Sequence, residues 1–212
     1  MQYGFYYDNT RCTGCKTCEM ACKDYHGLDL RRTYRRVLDY EGGGWTVADD
    51  GTCRTDAYAY HVSLACNHCN HAACIAVCPT GAMHKDDMGL VWPDWGKCIG
   101  CGYCTMACPY HAPVIDQEAK KSSKCDGCKD RVAAGRQPIC VDACPLRALE
   151  FAEVPLIKTL HPDAVSSILP LADPSYTSPN LYIKASPAAE RAREVGGHIA
   201  NQAEIQYGRG TV

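Results

Sequence analysis

Hydrophobic and polar positions alternate in only a few short stretches of this chain. QYGFYYD, at residues 2–8, has the two-residue rhythm of a strand. The segment WTVADDGTCRTDAYAYHVSLA, at 45–65, reads as two alternating strands folded about a turn at Asp50-Gly51. Before it lie a charged stretch, RRTYRRVLDYE at 31–41, and three glycines, Gly42, Gly43 and Gly44. Gly89-Leu90-Val91-Trp92-Pro93 predicts another short strand, and KDRVAAGRQPI, at 129–139, a short helix closed at Gly135. After Leu149 the pattern thins. Residues 151–184 are proline-rich with one short helix expected near 155–160, and 185–212 are small, polar and glycine-rich. A stretch with so weak an apolar face is expected to wrap over the rest of the chain or a partner, not to fold alone.

The most apolar stretch, VPLIKTLHPDAVSSILPLADP, is interrupted by Lys158, His161, Asp163 and prolines, so no direct membrane span is expected. The start, MQYGFYYDNTRC, has neither the basic nor the apolar region of a signal peptide. The net charge is −2 with the signs well mixed, which argues against a nucleic-acid partner. With two Phe and three Trp in 212 residues, the core is expected to form partly around something inorganic. Seventeen cysteines, about 8% of the chain, point to what that is.

Sixteen of the seventeen fall into four groups. Motif one is Cys12, Cys15, Cys18 and Cys22, spaced C-x2-C-x2-C-x3-C, and motif three, Cys98, Cys101, Cys104 and Cys108, repeats it before Pro109. Motif two, Cys66, Cys69, Cys74 and Cys78, widens the second gap to four residues, and motif four, Cys125, Cys128, Cys140 and Cys144, widens it to eleven. This is the bacterial ferredoxin signature. Three thiolates on one tight loop reach different irons of one cubane, and the fourth points away to complete another. Motifs therefore work in pairs, and four motifs predict four [4Fe-4S] clusters. Structural zinc wants separated pairs of ligands around one tetrahedral ion, and disulfides have no need of the three-plus-one rhythm. Repeats agree with duplication: CTGCKTCEMAC and CIGCGYCTMAC match at seven of eleven positions.

Single residues refine this picture. Cys101, the second cysteine of its triplet, argues that its cluster keeps four irons. Cys53, the cysteine left over, reads as a free, half-buried structural thiol. His68 and His71 are set aside as ligands, because a Rieske-type centre replaces two cysteines and here the cysteine set is complete. Formal charge around the motifs is uneven: +2 over 11–23 and over 124–147, none over 66–78, and only Lys97 over 97–109. Since positive charge raises a cluster's potential, clusters built on motifs one and four are expected to be the more oxidising on average, the alternative being that these are solvated surface charges of little net effect.

QYGFYYDNTRCTGCKTCEMACKD, CNHC with CPTGAMHK, CIGCGYCTMACPY, KCDGC and PICVDACPLRALEF resemble the iron–sulfur subunits of dimethyl sulfoxide reductases, within the wider family of four-cluster subunits that serve molybdopterin oxidoreductases. The resemblance runs over residues 2–184. Gly102 departs from it, since a basic residue is expected there. It implies an α+β fold of two nested ferredoxin-like 2[4Fe-4S] domains, with a hairpin insertion and an extended C-terminal tail. Residues 1–44 and 113–150 would carry motifs one and four, 45–112 motifs two and three with the hairpin, and 151–212 the tail. It further implies crossed ligand sets: Cys12, Cys15, Cys18 and Cys144; Cys22, Cys125, Cys128 and Cys140; Cys78, Cys98, Cys101 and Cys104; and Cys66, Cys69, Cys74 and Cys108.

The implied partners are a molybdopterin catalytic subunit, facing the motif one and four pair, and an integral membrane quinol-oxidising anchor facing the other. The protein would relay electrons between them and perform no substrate chemistry. The expected location is a membrane-associated complex on the periplasmic face, exported with a partner carrying the signal; the cytoplasmic face is the alternative. Other molybdoenzymes, acting on polysulfide, tetrathionate, arsenate or catechols, would use a similar subunit. A free polyferredoxin carrier would have little use for a tail of some 60 residues. An enzyme in its own right would need a nucleotide-binding glycine motif or an open ligand position, and neither is present.

Overall fold

The computed structural model describes residues 1–207, so the end of the tail, 208–212, lies outside the described residues. Two three-stranded sheets frame the protein. In the first, Tyr3–Asp8 runs between Leu149–Glu153, antiparallel with Phe5 opposite Phe151, and Leu181–Lys184, parallel with Phe5 opposite Leu181. The alternation of QYGFYYD would leave one face of this strand in water. The structure buries every residue of the strand after Tyr3: on the face expected in water, Val154 and Asn180 lie against Gly4, and the ring of His161, just past the helix Val154–Leu160, stacks on Tyr6 at 3.5 Å. The chain's two phenylalanines meet in this sheet with ring centroids 4.8 Å apart, a contact worth about 0.5–1.5 kcal/mol beyond area burial.

The second sheet corrects the reading of the charged stretch. Arg36–Gly42 is its central strand, paired along its length with Tyr58–Leu64 and at its end with His198–Ile199. Val37, Leu38 and Tyr40 are buried, and the arginines hide them from a pattern reading. This pairing crosses residue 44, the boundary expected between two domains.

The turn at Asp50-Gly51 joins only short arms, Trp45–Val47 and Cys53–Thr55, whose residues are all exposed. Cys53 is therefore exposed, not half-buried. Two further hairpins, Met83–Lys85 with Val91–Pro93 and Val114–Asp116 with Lys121–Ser123, flank the cysteine loops.

The tail is not extended. It supplies an edge strand to each three-stranded sheet and the helices Val154–Leu160, Pro187–Val195 and Gln202–Tyr207. The helix Pro187–Val195 starts at a Ser186 cap, whose hydroxyl accepts from the Ala189 amide, and buries Ala189 and Ala192. Small side chains give it too faint an apolar face to be read from sequence, but they let it lie close against the strands. Residues 177–180 strap the motif two loop: the amides of Asn70 and His71 donate to the Ser178 and Thr177 carbonyls, and Asn180 Nδ2 donates to the His68 carbonyl at 2.8 Å.

Candidate metal centres

The helices around the cysteines are short. Cys18 and Cys22 lie on the buried face of Thr17–Tyr25, while Cys74 and Cys78, Cys104 and Cys108, and Cys140 and Cys144 each lie in or just beyond Ala73–Ala76, Tyr103–Ala107 and Ile139–Asp142. A spacing of four residues is about one turn, so both thiols share a face roughly 5–6 Å apart. One can face the set formed by its own loop while the other faces the neighbouring set.

Each loop also needs a left-handed residue just before its second cysteine. Gly14, Gly100 and Gly127 supply it, and in motif two His68 does so at φ 44°. A Cβ on Gly100 would lie 2.1 Å from the Lys120 carbonyl oxygen, so no side chain fits there. The next turn explains Gly102: it occupies the same left-handed position after its cysteine (φ 79°) as Lys16 does in motif one (φ 59°).

The structure gathers the sixteen cysteines into four sets. Cys12, Cys15, Cys18 and Cys144 line one cavity; Cys66, Cys69, Cys74 and Cys108 line a second; Cys78, Cys98, Cys101 and Cys104 line a third. Each of the three is lined by four cysteines, three of them from one loop and the fourth from another motif. Cys22, Cys125, Cys128 and Cys140 are buried together, and Cys22 feels the charges of the other three. The eleven-residue gap in motif four is closed by Arg131, which pairs with Asp142 and donates from Nε to the Gln137 carbonyl at 2.7 Å.

Burial alone holds several of these cysteines in the neutral thiol form. Burial pushes Cys69, Cys74 and Cys128 up to about 12, and Cys22 higher still. Yet amides point at the sulfurs: those of His68, Gly127, Met83, Ser122 and Ala148 donate to Cys66, Cys125, Cys78, Cys98 and Cys144 at 3.3–3.4 Å. Donors aimed at sulfurs stabilise thiolates, and four thiolates per cavity is the donor set of a [4Fe-4S] cubane. The residues present fit that group.

Three buried nitrogen bases surround the sulfurs, and sequence reasoning missed their roles. Arg35 is 2% exposed, and the charges acting on it most strongly are those of Cys140, Cys18, Cys125 and Cys22, from two different sets. Lys124, 3% exposed, donates to Cys66 Sγ at 3.1 Å. Burial alone would lower its pKa, but Cys66, Cys125 and Cys74 raise it, so it stays cationic. His68 is fully buried; its Nδ1 accepts from the Val91 amide at 2.9 Å, and Cys66 and Cys125 are the thiols that act on it. Burial would push the Cys66 thiol up, but His68 and Lys124 outweigh it and bring it down to about 5. His71 lies instead at the surface beside Ser178. No local pattern separates Arg35 from Arg32, and Lys124 stands by sequence in motif four.

These contacts order the sets in a row. Arg35 sits between the Cys12 and Cys125 sets, Lys124 and His68 between the Cys125 and Cys66 sets, and the helices of Cys74 and Cys104 join the Cys66 set to the Cys98 set. Cys15 at one end and Cys101 at the other are exposed, and so are Met20 near the first and Ile99, Tyr103 and Met106 near the second. The charge counted along the chain therefore differs from the charge that each set meets in the fold. Lys124 faces motif two, Lys16 pairs with Glu204, Lys129 with Asp130 and Arg131 with Asp142, while Arg35, outside every motif, is buried at the centre.

Residues 57–154 match a 4Fe-4S dicluster domain family, and residues 9–25 a 4Fe-4S binding domain. The protein is similar to the B subunit of the anaerobic dimethyl sulfoxide reductase of Haemophilus influenzae, 48% identical over 96% of this sequence and 99% of the relative. It is likewise similar to the B subunit of the Escherichia coli K12 reductase, at 47% over 96% and 98%. The thiosulfate reductase electron transfer subunit of Salmonella typhi is 37% identical over 72% of this sequence and 77% of its own length.

Proposed function

The chain belongs to the family of anaerobic dimethyl sulfoxide reductase iron–sulfur subunits, and on that premise we propose that it relays electrons through four [4Fe-4S] clusters, from a quinol-oxidising membrane anchor to a molybdopterin catalytic subunit of a dimethyl sulfoxide reductase-like terminal reductase. It is an electron-transfer subunit, not a catalytic one, and its cofactors are [4Fe-4S] clusters. The observation that carries the relay reading is the row of four cysteine sets, buried in the middle and exposed at Cys15 and Cys101. Near-complete coverage of the dimethyl sulfoxide reductase B subunits, against a shorter match to the thiosulfate reductase subunit, favours dimethyl sulfoxide as the complex's substrate.

A bound [4Fe-4S] cluster takes up and releases one electron, with a potential set by its hydrogen bonds, nearby charge and exposure. The four cysteine sets would hold the clusters in the crossed arrangement. The amides directed at sulfur steady the thiolates, and the surrounding core keeps water from the central sets. Motifs one and four form the outer ferredoxin-like unit (1–44 with 113–150), and motifs two and three the inner one (45–112), fastened together by the strand pair of residues 36–64. The packing of the Thr17–Tyr25 helix on Ile139–Asp142, and of Ala73–Ala76 on Tyr103–Ala107, supports that nesting. The Cys15 end faces the catalytic subunit and the Cys101 end the anchor, in a complex held at the periplasmic face of the membrane.

The test uses the complex purified in detergent with Cys101→Ser. Quinol oxidation coupled to sulfoxide reduction should fail, while reduction driven by an artificial donor at the large subunit should survive. Equal loss of both activities would refute the assignment of this end to the anchor.

A further inference from the structure

Lys124 is the residue just before Cys125, so its backbone belongs to the loop that gathers the Cys125 set. Its ammonium does not. Nζ donates to Cys66 Sγ at 3.1 Å, to the Cys125 carbonyl at 2.8 Å and to the Val91 carbonyl. An ammonium has three protons, and these three acceptors use all of them. The charge is therefore held at one point in a site 3% exposed, where solvent screens it little. Val91, whose carbonyl is one of the three anchors, also fixes His68 through its amide. The same short strand thus positions both groups that stand between the Cys66 and Cys125 sets.

We propose that Lys124 is a positioning residue for electron transfer between the two halves of the row: it belongs by sequence to motif four, but it sets the potential of the cluster held by Cys66, Cys69, Cys74 and Cys108, and it ties the Cys66 sulfur to the Cys125 backbone. This rests on the four-set reading above. An added electron on the Cys66 side places negative charge beside a fixed cation that donates directly to one ligand, so the reduced state gains most there. The Cys125 set receives less, because Lys124 offers its loop a bond to a carbonyl and none to a sulfur.

The experiment is a redox titration followed by electron paramagnetic resonance on the intact complex, comparing wild type with Lys124→Met and Lys124→Arg. Iron content is measured throughout, and the signal of the Cys66 set is identified as the one altered by Cys66→Ser. Lys124→Met should lower the midpoint potential of that cluster more than any other, and Lys124→Arg should restore most of the shift. If Lys124→Met loses that one cluster while Lys124→Arg keeps it at an unchanged potential, Lys124 serves to hold the cluster and its assignment as the residue that sets the potential is overturned. Lys97→Met removes an exposed cation next to Cys98 and should shift nothing comparable. Full iron content with an unchanged potential for the Cys66 cluster, or the largest shift at the Cys125 set, overturns the assignment to Lys124. Fewer than four clusters in the wild type would instead overturn the four-set reading beneath it.

Discussion

Arg35 donates from Nη1 to the hydroxyl of Ser63 at 3.0 Å, and that hydroxyl lies 3.4 Å from the sulfur of Cys18. The guanidinium also lies over the Phe5 ring, 4.8 Å from its centroid. An arginine so deeply buried is normally compensated by a carboxylate, but here the groups that act on it most strongly are the sulfurs of Cys140, Cys18, Cys125 and Cys22, which match its charge only as thiolates. Three of those cysteines, Cys18, Cys22 and Cys140, are pushed toward the neutral thiol by burial. Only when the sets carry metal do they become thiolates that match the cation. Stripping iron should therefore cost several kcal/mol at this site and open the surrounding structure. Hydrogen exchange should speed up in 35–40 and 58–64 of the iron-free protein, and Arg35→Met should reduce that difference. Equal protection with and without iron would contradict this coupling.

Iron analysis gives the simplest check on the cysteine sets. Four sets of four thiolates should bind about 16 iron and about 16 acid-labile sulfide per protein. Stoichiometric zinc, or iron near half that value in fully loaded protein, contradicts the assignment.

Asn180 is 1% exposed, and its side-chain amide donates to the His68 carbonyl at 2.8 Å and to Asn70 Oδ1 at 3.0 Å. Asn180→Leu would leave the His68 carbonyl without this donor inside the protein, a loss of about 1–3 kcal/mol. Thermal stability should fall, and the Cys66 set should be the first to lose iron, because its loop is what the strap holds. Uniform iron loss from all sets would show that the strap is not specific to motif two.

The cysteine chemistry is legible in the sequence because ligand spacing is local: three thiols two residues apart and a fourth one turn away are written into a dozen residues. The short strand at Val91 and the helices near 129 and 155 are legible for the same reason. What is not legible depends on distant partners. Val37, Leu38 and Tyr40 form a buried strand, but their run is crowded by arginines, and burial of Arg36 makes sense only once the fold is known. The Pro187–Val195 helix buries only alanines, so periodicity has little to register. Lys124 counts with motif four because it precedes Cys125, and no pattern along the sequence reports that its side chain crosses to Cys66.

Cys22 discriminates most sharply between crossed and uncrossed ligation. It follows Cys18 by one helical turn, on the same buried face of Thr17–Tyr25. Uncrossed ligation would place it with Cys12, Cys15 and Cys18, yet the charges acting on it are first those of Cys125 and Cys140. Cys144, from motif four, lines the cavity with Cys12, Cys15 and Cys18 instead. In a Cys22→Ala variant the cluster held by Cys125, Cys128 and Cys140 loses its fourth thiolate and should convert or disappear. The cluster held by Cys12, Cys15, Cys18 and Cys144 should persist, with a potential changed only through its altered neighbour. Cys144→Ala should give the mirror result, sparing the cluster of Cys125, Cys128 and Cys140. Electron paramagnetic resonance of both variants, with iron counted in each, compares the two outcomes. If Cys22→Ala instead abolishes the signal that Cys15→Ala also abolishes, and spares the one that Cys128→Ala abolishes, each motif ligates its own cluster and the crossed pairing is wrong.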